Sequence, residues 1–237
     1  MKIKHLIPAV LMLVNLTFLN AQNVKGEGPV ITEEVKMGEI LTLSLGLSAN
    51  VYLTQGSQQQ IEIEGQQNII DLINKKNEGN SWDIKFLNNS KISNYEKLEV
   101  HITVRDIKSL NIGGSGSIIA QNKFNDLGDI SMNIGGSGSI KMDLEAKDIK
   151  ANIGGSGSIK LSGDAAQLNA NIGGSGSVKA IELKVGAAKV NTAGSGSVEI
   201  EVTDKIDATI VGSGGVKYKG NPKIQKNVMG SGRVRSY

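Results

Sequence analysis

The pattern that most invites a chemical reading is Gly-Gly-Ser-Gly-Ser. It recurs as NIGGSGSI at residues 111–118, 133–140 and 152–159 and as NIGGSGSV at 171–178. Looser copies follow at 191–198 (NTAGSGSV), 209–216 (TIVGSGGV) and 227–234 (NVMGSGRV). A glycine-rich loop can wrap backbone amides around a phosphate, but that use requires Lys-Ser or Lys-Thr and a helix start directly after the loop. No copy has either, and a nucleotide site has no use for seven loops. Calcium β-rolls repeat GGxGxDxUx, which doubles to about 18 residues and depends on the Asp carboxylate. Here the Asp position holds Ile118, Ile140, Ile159 and Val178, so the repeat offers calcium no ligand. No cofactor and no metal are expected.

Other reactive groups are scarce. There is no cysteine, which removes thiolate chemistry, zinc-cysteine sites, disulfides and a lipid-modified cysteine together. Of two histidines, His5 lies in a leader-like segment, and His101 alternates with Val100 and Ile102 as an outward residue of a strand does. Glycoside hydrolysis needs two carboxyls about 5–9.5 Å apart. The available acids, Asp126, Asp129, Asp143, Glu145, Asp148, Asp204 and Asp207, fall in turn-like stretches or alternate with Lys141, Lys147 and Lys150, as solvated charges do. No catalytic residue is assigned. The groups left are Ser and Asn: Ser115, Ser117, Ser137, Ser139, Ser156, Ser158, Ser175, Ser177, Ser195 and Ser197, with Asn111, Asn133, Asn152 and Asn171.

Their spacing defines the element that must position them. Between the central serines, Ser115 to Ser231, the steps are 22, 19, 19, 20, 18 and 18 residues, one solenoid coil per repeat. In a strand, alternate side chains share a face. Leu168, Ala170, Ile172, Gly174, Gly176, Val178 and Ala180 fall on one parity, whereas Asn169, Asn171, Ser175, Ser177 and Lys179 fall on the other. This predicts an all-β parallel β-solenoid with about 18–22 residues and two strands per coil, apolar columns inside and Asn and Ser columns outside. The inward glycines mark one corner; polar stretches such as 162–164 and 185–187 mark the other. The longest step contains residues 121–128, expected as a surface bulge.

Three regions follow. Residues 1–21 carry Lys2 and Lys4, an apolar stretch at 6–19 and a small residue, Ala21, which together read as a secretory signal peptide. Residues 22–108 show strand-like alternation at 40–47, 51–54, 60–64, 82–86 and 98–104, and GLSANV at 46–51 looks like an eroded copy of the motif. This region is expected to be an atypical, capping part of the same solenoid, with a separate small β-domain as the alternative. Residues 109–237 form the seven-copy array. From Gln22 onward the chain has 24 basic and 23 acidic residues, a formal charge of +1, with no basic run and no aromatic platform, so nucleic acid is excluded as a partner.

The stretches 40–73 (ILTLSLGLSANVYLTQGSQQQIEIEGQQNIIDLI) and 98–118 (LEVHITVRDIKSLNIGGSGSI), with the Gly-Ser repeats after them, resemble the family of putative auto-transporter adhesins with a head GIN domain. The chain has Asn-Ile-Gly-Gly in place of the family's namesake Gly-Ile-Asn. The resemblance implies a β-helical protein exported by Gram-negative bacteria, with an adhesive or surface role and no catalytic residues. The expected function is therefore a non-catalytic adhesin or a cell-envelope binding or structural module, with the Ser and Asn columns read either as a solvated surface that satisfies its hydrogen bonds or as a strip that docks a glycan or a protein. The alternatives are a polysaccharide-active enzyme and a periplasmic envelope-stress protein. The expected location is periplasm, outer surface or medium, with no stable membrane insertion after cleavage. A homodimer through an end or a face is compatible with the pattern, although Lys226, Arg233 and Arg235 would discourage strand-on-strand growth at the end. Export predicts that mass spectrometry of the protein recovered outside the cytoplasm finds Gln22 as its first residue.

Overall fold

In the computed structural model, residues 23–87 and 91–237 are described. Residues 1–21, expected from the sequence to be a signal peptide, lie outside them. Among the described residues, the elements before the repeats are β1 (Asn23–Lys25), β2 (Val30–Glu34), β3 (Thr42–Leu45), β4 (Asn50–Gln55), β5 (Gln60–Gln66), the single turn α1 (Gln67–Ile70), β6 (Asn77–Glu78), β7 (Ser81–Ile84), β8 (Lys91–Asn94) and β9 (Leu98–Val104). The array comprises β10 (Ser109–Ile112), β11 (Ser117–Ala120), β12 (Phe124–Ile134), β13 (Ser139–Ile153), β14 (Ser158–Ile172), β15 (Ser177–Gly194), β16 (Ser197–Gly212), β17 (Gly215–Lys219), β18 (Lys223–Gly230) and β19 (Arg233–Ser236).

From β10 onward every pairing is parallel and joins equivalent positions of successive coils, so the all-β parallel solenoid expected from parity is the observed fold. The Gly-Ser corner separates strands, whereas in β13 to β16 the opposite corner is passed inside one long strand. There the buried parity switches, from Ile140, Met142 and Leu144 to Ile149, Ala151 and Ile153. Buried columns run up the interior. One reads Val100, Val51, Ile118, Ile140, Ile159, Val178, Val198, Val216. β-branched side chains fill it because stacked strands about 4.8 Å apart present a pleated, laterally crowded surface. A second tapers from Trp82 through Leu43, Leu110 and Met132 to Ala151 and Ala170. Each fully buried Ile or Leu contributes about 1.5–3 kcal/mol.

The order of stacking at the N-terminal end is not the order of the chain. β3 and β4 pair on one side with β10 and β11 and on the other with β7 and β9. The chain thus lays one coil, doubles back beneath it and then crosses to its upper side. Below, β5 runs antiparallel to β9 and β2 antiparallel to β5, while Ile69, Ile70 and Ile73 around α1 are buried under them. Buried Gln66 ties this end together: its amide donates to the Gly28 carbonyl and accepts from the Glu96 N–H. The eroded copy at 46–51 sits in register under Gly113 to Ile118. Leu47 and Ala49 stand where later coils have glycine. The strand below leaves the corner after Ile84 and rejoins only at Glu99, so no stacked corner lies beneath them.

The segment 121–128 differs from the expected surface bulge. Phe124 is fully buried and Leu127 nearly so, while the register with the next coil skips Asn125 and Asp126, the latter with φ 56°. The extra residues of the long step supply core side chains as well as a bulge.

One core position breaks the pattern. In the column Ile112, Ile134, Ile153, Ile172, the next coil has Thr192, 2% exposed, and its hydroxyl has no hydrogen-bond partner among the described residues. An unpaired buried hydroxyl costs about 1–3 kcal/mol. Thr192→Val, which keeps the shape and removes the oxygen, is expected to raise the melting temperature by about 2–4 °C, as measured by thermal unfolding.

Candidate functional site

The Asn and Ser residues singled out from the sequence all face outward around the Gly-Ser corner, and none is buried. Asn111, Asn133, Asn152, Asn171 and Asn191 stack directly and form an amide ladder. Asn133 donates to Asn111 at 2.7 Å, Asn152 to Asn133 at 2.8 Å, Asn171 to Asn152 at 2.8 Å and Asn191 to Asn171 at 2.9 Å. Asn111 donates onward to Ser44 Oγ at 3.2 Å, and the ladder stops where Thr209 replaces Asn. Asn152 and Asn171 each spend one N–H and one oxygen lone pair on their neighbours, which leaves one of each for a ligand, whereas Asn111 and Asn133 also bond Ser109 and Ser131.

Ser115, Ser137, Ser156, Ser175 and Ser195 are exposed at the apex of the corner, where backbone N–H groups bond the coil below, Ser156 to the Gly136 carbonyl at 3.1 Å for example. Ser117, Ser139, Ser158, Ser177 and Ser197 form a second column, with hydroxyl contacts between Ser139 and Ser117 at 2.9 Å and between Ser177 and Ser158 at 3.2 Å.

The glycines of the corner are not equivalent. In the second column, a Cβ on Gly136, Gly155 or Gly174 would lie 2.4–2.6 Å from the carbonyl oxygen of the glycine one coil below. In the third, a Cβ on Gly138, Gly157 or Gly176 would strike both a backbone oxygen and an Ile Cγ2 at 2.4–2.9 Å. Those glycines are demanded by the stacking. The first column, Gly113, Gly135, Gly154 and Gly173, is different: a Cβ would meet nothing closer than 3.8 Å, and no left-handed φ is required. The next three coils place Ala193, Val211 and Met229 there. Four glycines are therefore kept where the fold itself tolerates side chains. The result is a groove of 540 Å³ floored by Gly135, Gly154 and Gly173, walled by the Asn ladder and closed by Ala193 and Val211.

The family description "Putative auto-transporter adhesin, head GIN domain" matches residues 41–222. The chain belongs to this family. Among solved structures, a putative adhesin from Bacteroides fragilis has a TM-score of 0.86 at 25% identity, covering 91% of this chain and 100% of that one. A putative lipid binding protein from Parabacteroides distasonis has a TM-score of 0.76 at 26% identity, again covering 91% and 100%. A putative adhesin from Parabacteroides merdae shares the fold with a TM-score of 0.71 at 23% identity, covering 91% and 99%. No match is found among the curated proteins.

In this head GIN domain the Ser strip is not flanked by neutral residues alone. Lys141, Lys160 and Lys179 stack as a like-charged column beside Ser139, Ser158 and Ser177, followed by Glu199, which pairs with Lys217 at 3.2 Å. The acids considered for hydrolysis fall on several columns, Glu145 being stacked on Asp164. Asp143 stacks with Ser162 on one leg and Asp207 with Lys189 on another, and Asp129 stacks with Asp148 at the far corner. One Asp148 oxygen is buried without a partner among the described residues.

His101 faces outward as expected, but in company that the sequence did not reveal. It stacks on Tyr52 with ring centroids 5.0 Å apart, and its Nε2 lies 3.9 Å from both Glu64 and Glu99. These three residues are a geometric candidate for a metal among the described residues. Lys97, however, reaches both carboxylates at 2.8 and 3.1 Å, and its ammonium pKa is raised by those hydrogen bonds, so the group already holds a cation. The missed signal was the alternation of Glu62 and Glu64, readable as one strand face; the antiparallel partner that brings it to Glu99 and His101 was not readable.

The two kinds of glycine predict opposite outcomes. Gly155→Ala should cost about 1–3 kcal/mol through overpacking, whereas Gly154→Ala should leave stability unchanged or raise it by about 0.4–1 kcal/mol, as read by denaturant unfolding.

Proposed function

We propose that the protein is an exported, non-catalytic binding module of the cell envelope or surface, and that its corner face docks a repetitive ligand, a glycan or a repeating protein surface. The observation that carries this reading is the first glycine column. Gly113, Gly135, Gly154 and Gly173 satisfy no steric or backbone demand, yet the last three leave an open floor beside an amide ladder in which Asn152 and Asn171 retain a free donor and acceptor each. A ligand lying along the axis would meet the same groups in every coil, and repeated weak contacts multiply into avidity. The lysine column beside the serines extends the preference to ligands carrying some negative charge.

Export is supported by the leader-like residues 1–21. The adhesin names of the family and of two structural relatives agree with this reading.

The test compares the wild type with a Gly154→Val/Gly173→Val double variant on a glycan array and on intact cells. Val211 shows that valine fits this column. The wild type is expected to bind and the variant to bind at least about tenfold more weakly, a loss that multivalent contact amplifies, at an unchanged melting temperature. Blank arrays and blank cells with the wild type, or equal binding by the variant, would sink the proposal.

A further inference from the structure

Charge is segregated along the solenoid axis. Residues 208–237 contain Lys217, Lys219, Lys223, Lys226, Arg233 and Arg235 and no acid, whereas residues 23–107 contain 12 acidic and 8 basic residues. Among the described residues, Lys217 alone of the six has a carboxylate partner. The near-neutral formal charge of the chain therefore hides a basic pole and an acidic pole.

The exposed apolar side chains are segregated in the same way. Of the five large ones that the described residues leave exposed, Val211, Ile224, Met229 and Tyr237 all belong to the basic pole. Ile224 is 42% and Met229 55% exposed. In the columns of this coil, Ile224 stacks on Ile206, Val228 on Ile210 and Val234 on Val216, so they continue core columns that are fully buried one coil below. Lys226 stands on the column of Ala208, an inward position. Tyr237 is held between the ammonium groups of Lys217 and Lys219, 5.8 and 5.3 Å from its ring. This end of the solenoid exposes apolar side chains among cations.

We propose that this pole is a docking surface for an anionic lipid bilayer. Exposed apolar residues among cations on one end of a molecule are what an interface of acidic headgroups over acyl chains recognises. Each Lys or Arg brought to such a surface contributes about 1 kcal/mol, roughly a fivefold gain in binding. A purely polar polyanion would use the cations but leave Ile224, Met229 and Tyr237 in water. The acidic pole is repelled by the same surface, so the molecule stands with its N-terminal end outward and its corner groove along the membrane normal. The proposal does not depend on what the groove binds.

The test is cosedimentation of the purified chain, with its N-terminus established by mass spectrometry, with vesicles of phosphatidylcholine alone or mixed with phosphatidylglycerol, at low and high salt. Three variants are compared with the wild type: Lys226→Glu/Arg233→Glu/Arg235→Glu, Ile224→Ser/Met229→Ser, and Lys141→Glu/Lys160→Glu/Lys179→Glu as a control with the same change of charge on another face. The wild type and the control are expected to bind phosphatidylglycerol vesicles, and the two pole variants to bind at least about tenfold more weakly, with binding falling as salt rises. The same melting temperature in all four shows that folding is kept. The Gly154→Val/Gly173→Val variant is expected to bind vesicles like the wild type, which separates this surface from the groove. Equal binding to both vesicle types, undiminished binding by the pole variants, or an equal loss in the control overturns the proposal. So does salt-sensitive self-association that the pole variants abolish in the absence of vesicle binding, since that assigns the surface to a second copy.

Discussion

The structure depends on how closely one backbone lies above another. In a parallel ladder, identical residues of successive coils face each other about 4.8 Å apart. At a corner the chain turns into the space over the coil below, and a Cβ on Gly155 would reach 2.5 Å from the Gly136 oxygen. Removing the side chain is the only remedy, so glycine recurs in the second and third columns through every coil of the array. Where the strand below takes a different path, as under Leu47 and Ala49, the demand vanishes and side chains return. The motif marks a corner stacked on another corner.

The same stacking decides which side chains can be repeated. Asn gains from it, since each amide can both donate to and accept from its neighbour and the coil spacing matches a hydrogen bond between side chains. Lysine loses, because Lys141, Lys160 and Lys179 repeat one charge at that spacing, an arrangement that like-charge repulsion opposes. A costly column kept beside the Ser strip, like glycines kept without steric need, draws attention to the surface rather than the core. Periodicity that began as a folding constraint becomes periodic display.

Along the axis the molecule is far from uniform. Antiparallel strands, a helical turn and a cluster of isoleucines close one end, while the other presents β-branched core residues among cations. The Lys97, Glu64, Glu99 and His101 group belongs to the closed end and knits β5 to β9 through a shared ammonium.

The sequence alone determined what depends on a residue's own strand. Parity through 168–180 placed Ile172 and Val178 inside and Asn171 and Ser177 outside, and the 18–22 residue period made each repeat one parallel coil. Alternation and period are local, so they survive without a partner. Only the tertiary structure decided what depends on which strands meet. That β3 and β4 lie between β7 with β9 and β10 with β11 required a reversal of stacking order that no period encodes, and the Glu64–His101 neighbourhood follows from it. That Phe124 enters the core, and that one glycine column is free while two are bound, depended on distances to atoms of another coil. Stacking contacts are long-range in sequence, and for those the chain has to be folded before it can be read.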